Sequence, residues 1–169
     1  WMALLKLSET LSSPAGAISL GGKIRETLRS LCTFKRAALL LRTSGGRWKE
    51  VGTGKPDAHR QSPLPLSLLE ALQRERGLAV RSSTEKEPFL LNLQDANSSG
   101  KVRRMQDLWV PIFERQELQG LLHLEAPSPH PPSSEFLAAL SLVAHLIGHS
   151  HLLGAAAATG DQRPMPEAS

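Results

Sequence analysis

Few residues of this 169-residue chain combine a reactive type with a useful spacing. His145 and His149 stand one helical turn apart and share a helix face, while His151 falls off it. A zinc or haem site would need further ligands, and no carboxylate or thiolate lies close in sequence. A polar strip or a helix end is the plainer role for these imidazoles. Cys32 is the single cysteine, so no internal disulfide forms. Set among Leu28, Leu31 and Phe34, with no cation directly beside it to lower its pKa, it is expected to be a small buried hydrophobe. Gly45-Gly46 and Gly52-Thr53-Gly54 read as turn residues, because a dinucleotide fingerprint needs G-x-G-x-x-G opening a helix. Paired carboxylates in a recognisable setting, a nucleophile elbow and a phosphate loop are all missing from the sequence. No intrinsic enzyme activity is expected, and thiol redox chemistry at Cys32 is the one residual route.

Charge and composition narrow the partners. Twenty Lys+Arg against sixteen Asp+Glu give +4 and a pI of about 9.6. The densest basic group is only Lys101, Arg103 and Arg104, and there is no Tyr among the few aromatics. Nucleic-acid binding wants a longer basic stripe interleaved with aromatics, so these charges read as a solvated face. With 40% apolar residues the chain is ordinary globular material, long enough for one domain with a real core. Residues 136–160 carry no charge, yet His145, His149, Ser150 and His151 interrupt them. That composition suits a largely buried helix with a soft tail rather than a membrane span. Trp1-Met2-Ala3 has neither a basic n-region nor a cleavage site, so no leader is expected, and opening on Trp1 suggests an excerpt of a longer polypeptide. A lone cysteine fits a reducing, cytoplasmic setting.

The elements that must position these residues follow from periodicity. Leu4, Leu5, Leu7 and Leu11 predict a first helix over 2–13, ended by Pro14-Ala15-Gly16. Ile24, Leu28 and Leu31 predict a second. Residues 37–42 and 48–54 predict a hairpin turned by Gly45-Gly46. Ser67-Leu68-Leu69-Glu70 has the form of a capping box, and Gly77 stands where a left-handed residue would end that helix. Leu78-Ala79-Val80 then reads as a short strand. Residues 83–103 are polar with one apolar island, Phe89 to Leu93. Leu108 to Phe113 and Leu118 to Glu125 predict a second hairpin, with Pro111 marking an edge or a bulge. A three-residue turn there would set Trp109 opposite His123, with Phe113 and Glu125 on the same face. Ser133 or Ser134 caps a last helix over 135–153, and 154–169 is a linker or frayed tail. Helices at both ends of a mainly antiparallel sheet make the class α+β.

This order of elements resembles a GAF domain over about residues 2–153. The likeness is carried by 68–80, by Leu108-Trp109-Val110-Pro111-Ile112 with Leu118-Gln119-Gly120-Leu121-Leu122-His123-Leu124, and by Glu135-Phe136-Leu137. PAS domains share much of the architecture. The resemblance implies a central antiparallel sheet with the N- and C-terminal helices on one face, and loops and a short helix over a cavity on the other. It implies a sensory module controlling an output domain in the same polypeptide, with homodimerisation through the first and last helices. The family's cyclic-nucleotide pattern is not found, Cys32 lies in the wrong element for bilin attachment, and one cysteine cannot form the internal disulfide of the methionine-sulfoxide-reducing members. No cofactor, metal, nucleic acid or membrane is therefore expected. Trp109, Phe113 and His123 are the expected small-molecule contacts, an aromatic wall beside a titratable group; alternatively they pack under an adjacent helix or loop. The corresponding alternative for the whole chain is a ligand-free dimerisation module whose pocket is filled by its own leucines.

Overall fold

The computed structural model describes residues 2, 5–6, 8–9, 17–51, 59–60, 64–92, 104–128 and 133–149. Met2, Leu5, Lys6, Ser8 and Glu9 are helical, as the leucine spacing predicts. The elements that follow are α1 (Ala17–Leu31), β1 (Arg36–Arg42), β2 (Trp48–Val51), β3 (His59–Arg60), α2 (Leu66–Glu75), β4 (Leu78–Ser82), β5 (Phe89–Leu91), β6 (Met105–Glu114), β7 (Glu117–Glu125) and α3 (Ser134–His149). The strands form one sheet in the order β3-β2-β1-β7-β6-β4-β5, every neighbouring pair antiparallel. Residues 150–153 and the expected tail 154–169 lie outside the described residues, as do 52–54 of the first hairpin and Leu93. Among the described residues no helix is long and apolar enough to cross a membrane.

The sheet is covered on both faces, which is why its strands are so rich in leucine. Ile24 and Leu28 of α1 and Phe136, Leu137, Leu140, Val143 and Ile147 of α3 pack on Leu39, Leu41, Val80, Leu108, Val110, Leu122 and Leu124. Alternate residues turn to the other face, where Leu68, Leu69 and Leu72 of α2 join Leu40, Trp48, Ala79, Trp109 and Leu121. Burial on both sides overrides leucine's modest strand preference, because that preference reflects packing more than backbone. α1 and α3 therefore share one face and the short helix takes the other.

Two local expectations are corrected and two are made specific. The capping box does not form: α2 begins at Leu66 after Pro65, whose carbonyl accepts from the N–H groups of Leu68 and Leu69, and no side chain caps it. Proline's fixed φ prepares that start two residues earlier, leaving Ser67 inside the first turn. The left-handed residue ending α2 is Arg76 (φ 54, ψ 31), not Gly77. Gly77 serves close approach instead, since a Cβ there would lie 2.6 Å from the Leu91 carbonyl oxygen. The apolar island becomes β5, an edge strand paired to β4. Pro111 does mark an edge: β6 is a central strand, but it pairs with β4 only from Met105 to Trp109, so Pro111 sits beyond the ladder that would have needed its N–H, next to the register shift at Ile112/Phe113.

α3 is not apolar all round once folded. Glu135, Ala138, Leu142, His145 and His149 form one exposed stripe, in which Leu142 is 37% exposed. Its start is the expected one: the Phe136 N–H donates to Ser133 Oγ at 3.1 Å. Ser133→Ala is expected to cost about 1 kcal/mol in equilibrium denaturation, the ordinary worth of such a cap, whereas Ser134→Ala should be near neutral.

Candidate functional site

The hairpin β6–β7 turns through two residues, Arg115 and Gln116, both at positive φ (49° and 69°). Its register shifts by one residue between Ile112 and Phe113, where Gln119 is the extra residue on β7. Turn and bulge together restore the register that a three-residue turn would give, and Trp109 stands opposite His123. Their rings stack, with centroids 4.9 Å apart and planes 7° from parallel. Ala79 and Ala38, their outer neighbours across the sheet, are small and leave room for both rings. Phe113 lies on the same face four residues along, about 13 Å at the usual strand rise. There it sits under the Arg76 guanidinium, whose Cζ is 5.0 Å from the ring centroid. The structure thus joins Trp109 to His123 and places Phe113 at the hairpin end.

Asp107 completes the site, and it is a residue the spacing arguments overlook. It is 5% exposed on the face that carries Trp109. His123 Nε2 contacts its Oδ1 at 2.8 Å. Its Oδ2 accepts from Arg81 Nε at 2.7 Å and also from Arg81 Nη2. A buried carboxylate without such partners would carry a large desolvation cost. Period-two alternation already puts Asp107, Trp109, Phe113 and, opposite, Glu125 on one face, so an inward-facing carboxylate was the available signal. Arg81, Asp107, Glu125 and Arg36 stand side by side across β4, β6, β7 and β1. Arg36 Nη2 pairs in turn with the buried Glu50 at 2.5 Å, and Lys35 with Glu125 at 3.3 Å. This end of the sheet is a charged rim on an otherwise apolar face.

The chemistry follows from the hydrogen bonds. A carboxylate at Asp107 can only accept, so His123 donates to it from Nε2, the tautomer that leaves Nδ1 as an acceptor. Among the described residues no group bonds to that second nitrogen, and no hydroxyl or thiol is joined to the ring. An aspartate that fixes a histidine's tautomer and orientation makes a directed hydrogen-bonding tip, here backed by an indole.

The other reactive candidates fall elsewhere. The His145 and His149 rings meet on α3 with centroids 4.1 Å apart and planes tilted by 39°, and His149 Nδ1 lies 3.1 Å from the His145 carbonyl oxygen. Among the described residues no three His, Cys, Asp or Glu converge to hold a metal; His151 lies outside them. Cys32 packs in the core on the opposite face of the sheet, where burial pushes its thiol up to about 11. Thiolate is the reactive form. A disulfide reagent at pH 8 is therefore expected to leave Cys32 unmodified in the folded protein and to label it fully in denaturant.

No family model and no curated protein matches the chain. Solved structures do. The GAF domain of a phosphoenolpyruvate-protein phosphotransferase from Acinetobacter is 12% identical, with 95% of this chain and 96% of that one covered, at a TM-score of 0.60. The chromophore-binding domain of the bacteriophytochrome RpBphP3 from R. palustris is 11% identical, covering 87% of this chain and 58% of that one, also at 0.60. Reduced fRMsr of Staphylococcus aureus is 14% identical, with 87% of this chain and 91% of that one covered, at 0.55. At such low identity, what these structures share with the chain is its fold. The chain has the fold of a GAF domain.

Proposed function

We propose that this domain is a regulatory module of a larger signalling or transcription-regulating protein, sensing a small molecule at His123 and Trp109. The observation that carries this reading is the Asp107–His123 pair: a mostly buried imidazole bonded to a buried carboxylate and stacked on Trp109, with no described group bonded to its second nitrogen. Phe113 belongs to the same apolar face and completes the expected lining at its far end. α1 and α3 lie on the opposite face of the same sheet, and a ligand that binds one packing of these helices better than another would bias an attached output domain. Pairing of two copies through the first and last helices fits the exposed Met2, Leu5 and Leu142. The module works in the cytoplasm and regulates rather than catalyses, for Cys32 packs on the other face of the sheet from the Trp109–His123 stack and burial raises its pKa to about 11.

A second reading has its own support. Leu40, Leu64, Leu72 and Leu121, each no more than 4% exposed, pack in the cluster that holds Trp109, as a self-filled pocket would require. Native mass spectrometry separates the two. A dimer releasing a reproducible small mass that His123→Ala fails to retain supports the sensor. A dimer without added mass, unmoved in a thermal-shift metabolite screen, favours the ligand-free dimerisation module. A monomer removes the helix-pairing element from both.

A further inference from the structure

A cleft lies at the hairpin end of the sheet, and neither Asp107 nor His123 lines it. Its volume is about 390 Å³, and Arg76, Arg115, His145, His149, Ser141 and Phe113 are among the residues that line it. Two arginines and two histidines line it, and among the described residues no Asp or Glu does. Of the acidic residues on the elements packed around it, Glu75 is engaged with Arg74, and Glu114 and Glu117 flank the turn without reaching the lining. Neither Arg76 nor Arg115 has a carboxylate partner among the described residues.

The walls are fixed before any ligand arrives. Arg76 is locked in a left-handed cap by its N–H bond to the Leu72 carbonyl, with its guanidinium over Phe113. Arg115 and Gln116 hold positive φ in a turn where Asn and Gly are the usual occupants. Gln73 of α2 clamps that turn, donating to the Gln116 carbonyl at 2.7 Å and accepting from the Leu118 N–H at 2.7 Å. α2 and the hairpin are thereby tied together, and their two arginines are held at one cleft. The last described turn of α3 opposes an anion through its carbonyl ends, but that partial charge of about one half is outweighed by two whole cationic charges.

We propose that this cleft binds a small phosphorylated organic molecule, its phosphoryl oxygens on Arg76 and Arg115 and its carbon skeleton against Phe113, Pro111 and Val110. Guanidinium forks match phosphoryl oxygens, and near-dianionic charge matches two arginines better than one carboxylate does. The volume accommodates a ligand of sugar-phosphate size.

Calorimetric titration and amide NMR of the whole chain with ribose 5-phosphate, at constant ionic strength, test this. Saturable binding is expected, with shifts at Arg115, Gln116 and Ser141. Arg76→Gln and Arg115→Gln, each verified as folded by circular dichroism, should each weaken it by about tenfold, the worth of one charge-assisted contact. His123→Ala should leave it unchanged, so failure here and failure of the sensor site are distinguishable. Non-saturable shifts, or saturable binding indifferent to both arginine variants, would overturn the proposal. Equal affinity for succinate would overturn the phosphoryl assignment.

Discussion

Gly148→Ala is expected to destabilise the domain by about 2–4 kcal/mol and to lower its melting temperature by roughly 5–10 °C. Helix propensity alone argues the reverse, because alanine gains about 1 kcal/mol over glycine in a helix interior. Packing decides the sign. A Cβ at Gly148 would stand 2.2 Å from the Phe113 carbonyl oxygen and 3.4 Å from Ile112 Cγ2. The first of these is backbone in a ladder paired to β7, so it cannot turn aside, and α3 would have to lift from β6 along its last turns. Gly22 of α1 is the control, for nothing lies within 4 Å of a Cβ built there. Gly22→Ala should gain up to about 1 kcal/mol from propensity. Thermal and denaturant melts of both variants check the pair, and a Gly148→Ala protein at least as stable as the parent would mean that α3 sits farther from the sheet. The position bears on function too, since it sets the height of α3 above the strands that carry Trp109 and line the cationic cleft.

Periodicity reveals the larger elements because two-sided burial leaves a strong mark: Ala37 to Leu41 are all buried, and an unbroken apolar run is what such a strand must be. The Trp109–His123 juxtaposition was legible for a less direct reason. A two-residue turn alone would have shifted every pair on β7 by one, moving His123 to the α3 side, and the extra Gln119 returns it. What remained hidden depends on contacts distant in sequence. Nothing near Gly77 announces the Leu91 carbonyl that demands a glycine there, and nothing near Arg76 shows that this residue, rather than the glycine, takes the left-handed turn. β5 is three residues long at an edge, too short for alternation to register. Asp107 and Arg81 sit 26 positions apart and become partners only when β4 pairs with β6. A capping box was written in the residues, yet Pro65 began the helix first.

Asp107→Ala is expected to cost about 2–3 kcal/mol, below the 3–5 kcal/mol typical of breaking a fully buried ion pair. The discount comes from Arg81, whose side chain is 38% exposed and can turn its guanidinium toward water once the carboxylate is gone. What cannot escape is the lost acceptor pair, two oxygens that together take hydrogen bonds from Arg81 and His123. Asp107→Asn keeps the volume and one oxygen but puts an amide donor beside one of these donors, so about 1–2 kcal/mol is expected. A cycle combining Asp107→Ala with Arg81→Ala should show coupling of about 1–2 kcal/mol, since the two residues are in direct contact. Because Asp107 is buried, most of that coupling should persist in high salt, unlike that of an exposed pair. Nitrogen-15 NMR of the His123 ring supplies a readout that a merely structural aspartate would not move. In the parent the ring should be held with its proton on Nε2; in Asp107→Ala both tautomers should be populated. A ring that keeps one tautomer without Asp107, or a stability loss under about 0.5 kcal/mol, would show that the carboxylate neither orients His123 nor is desolvated by the sheet.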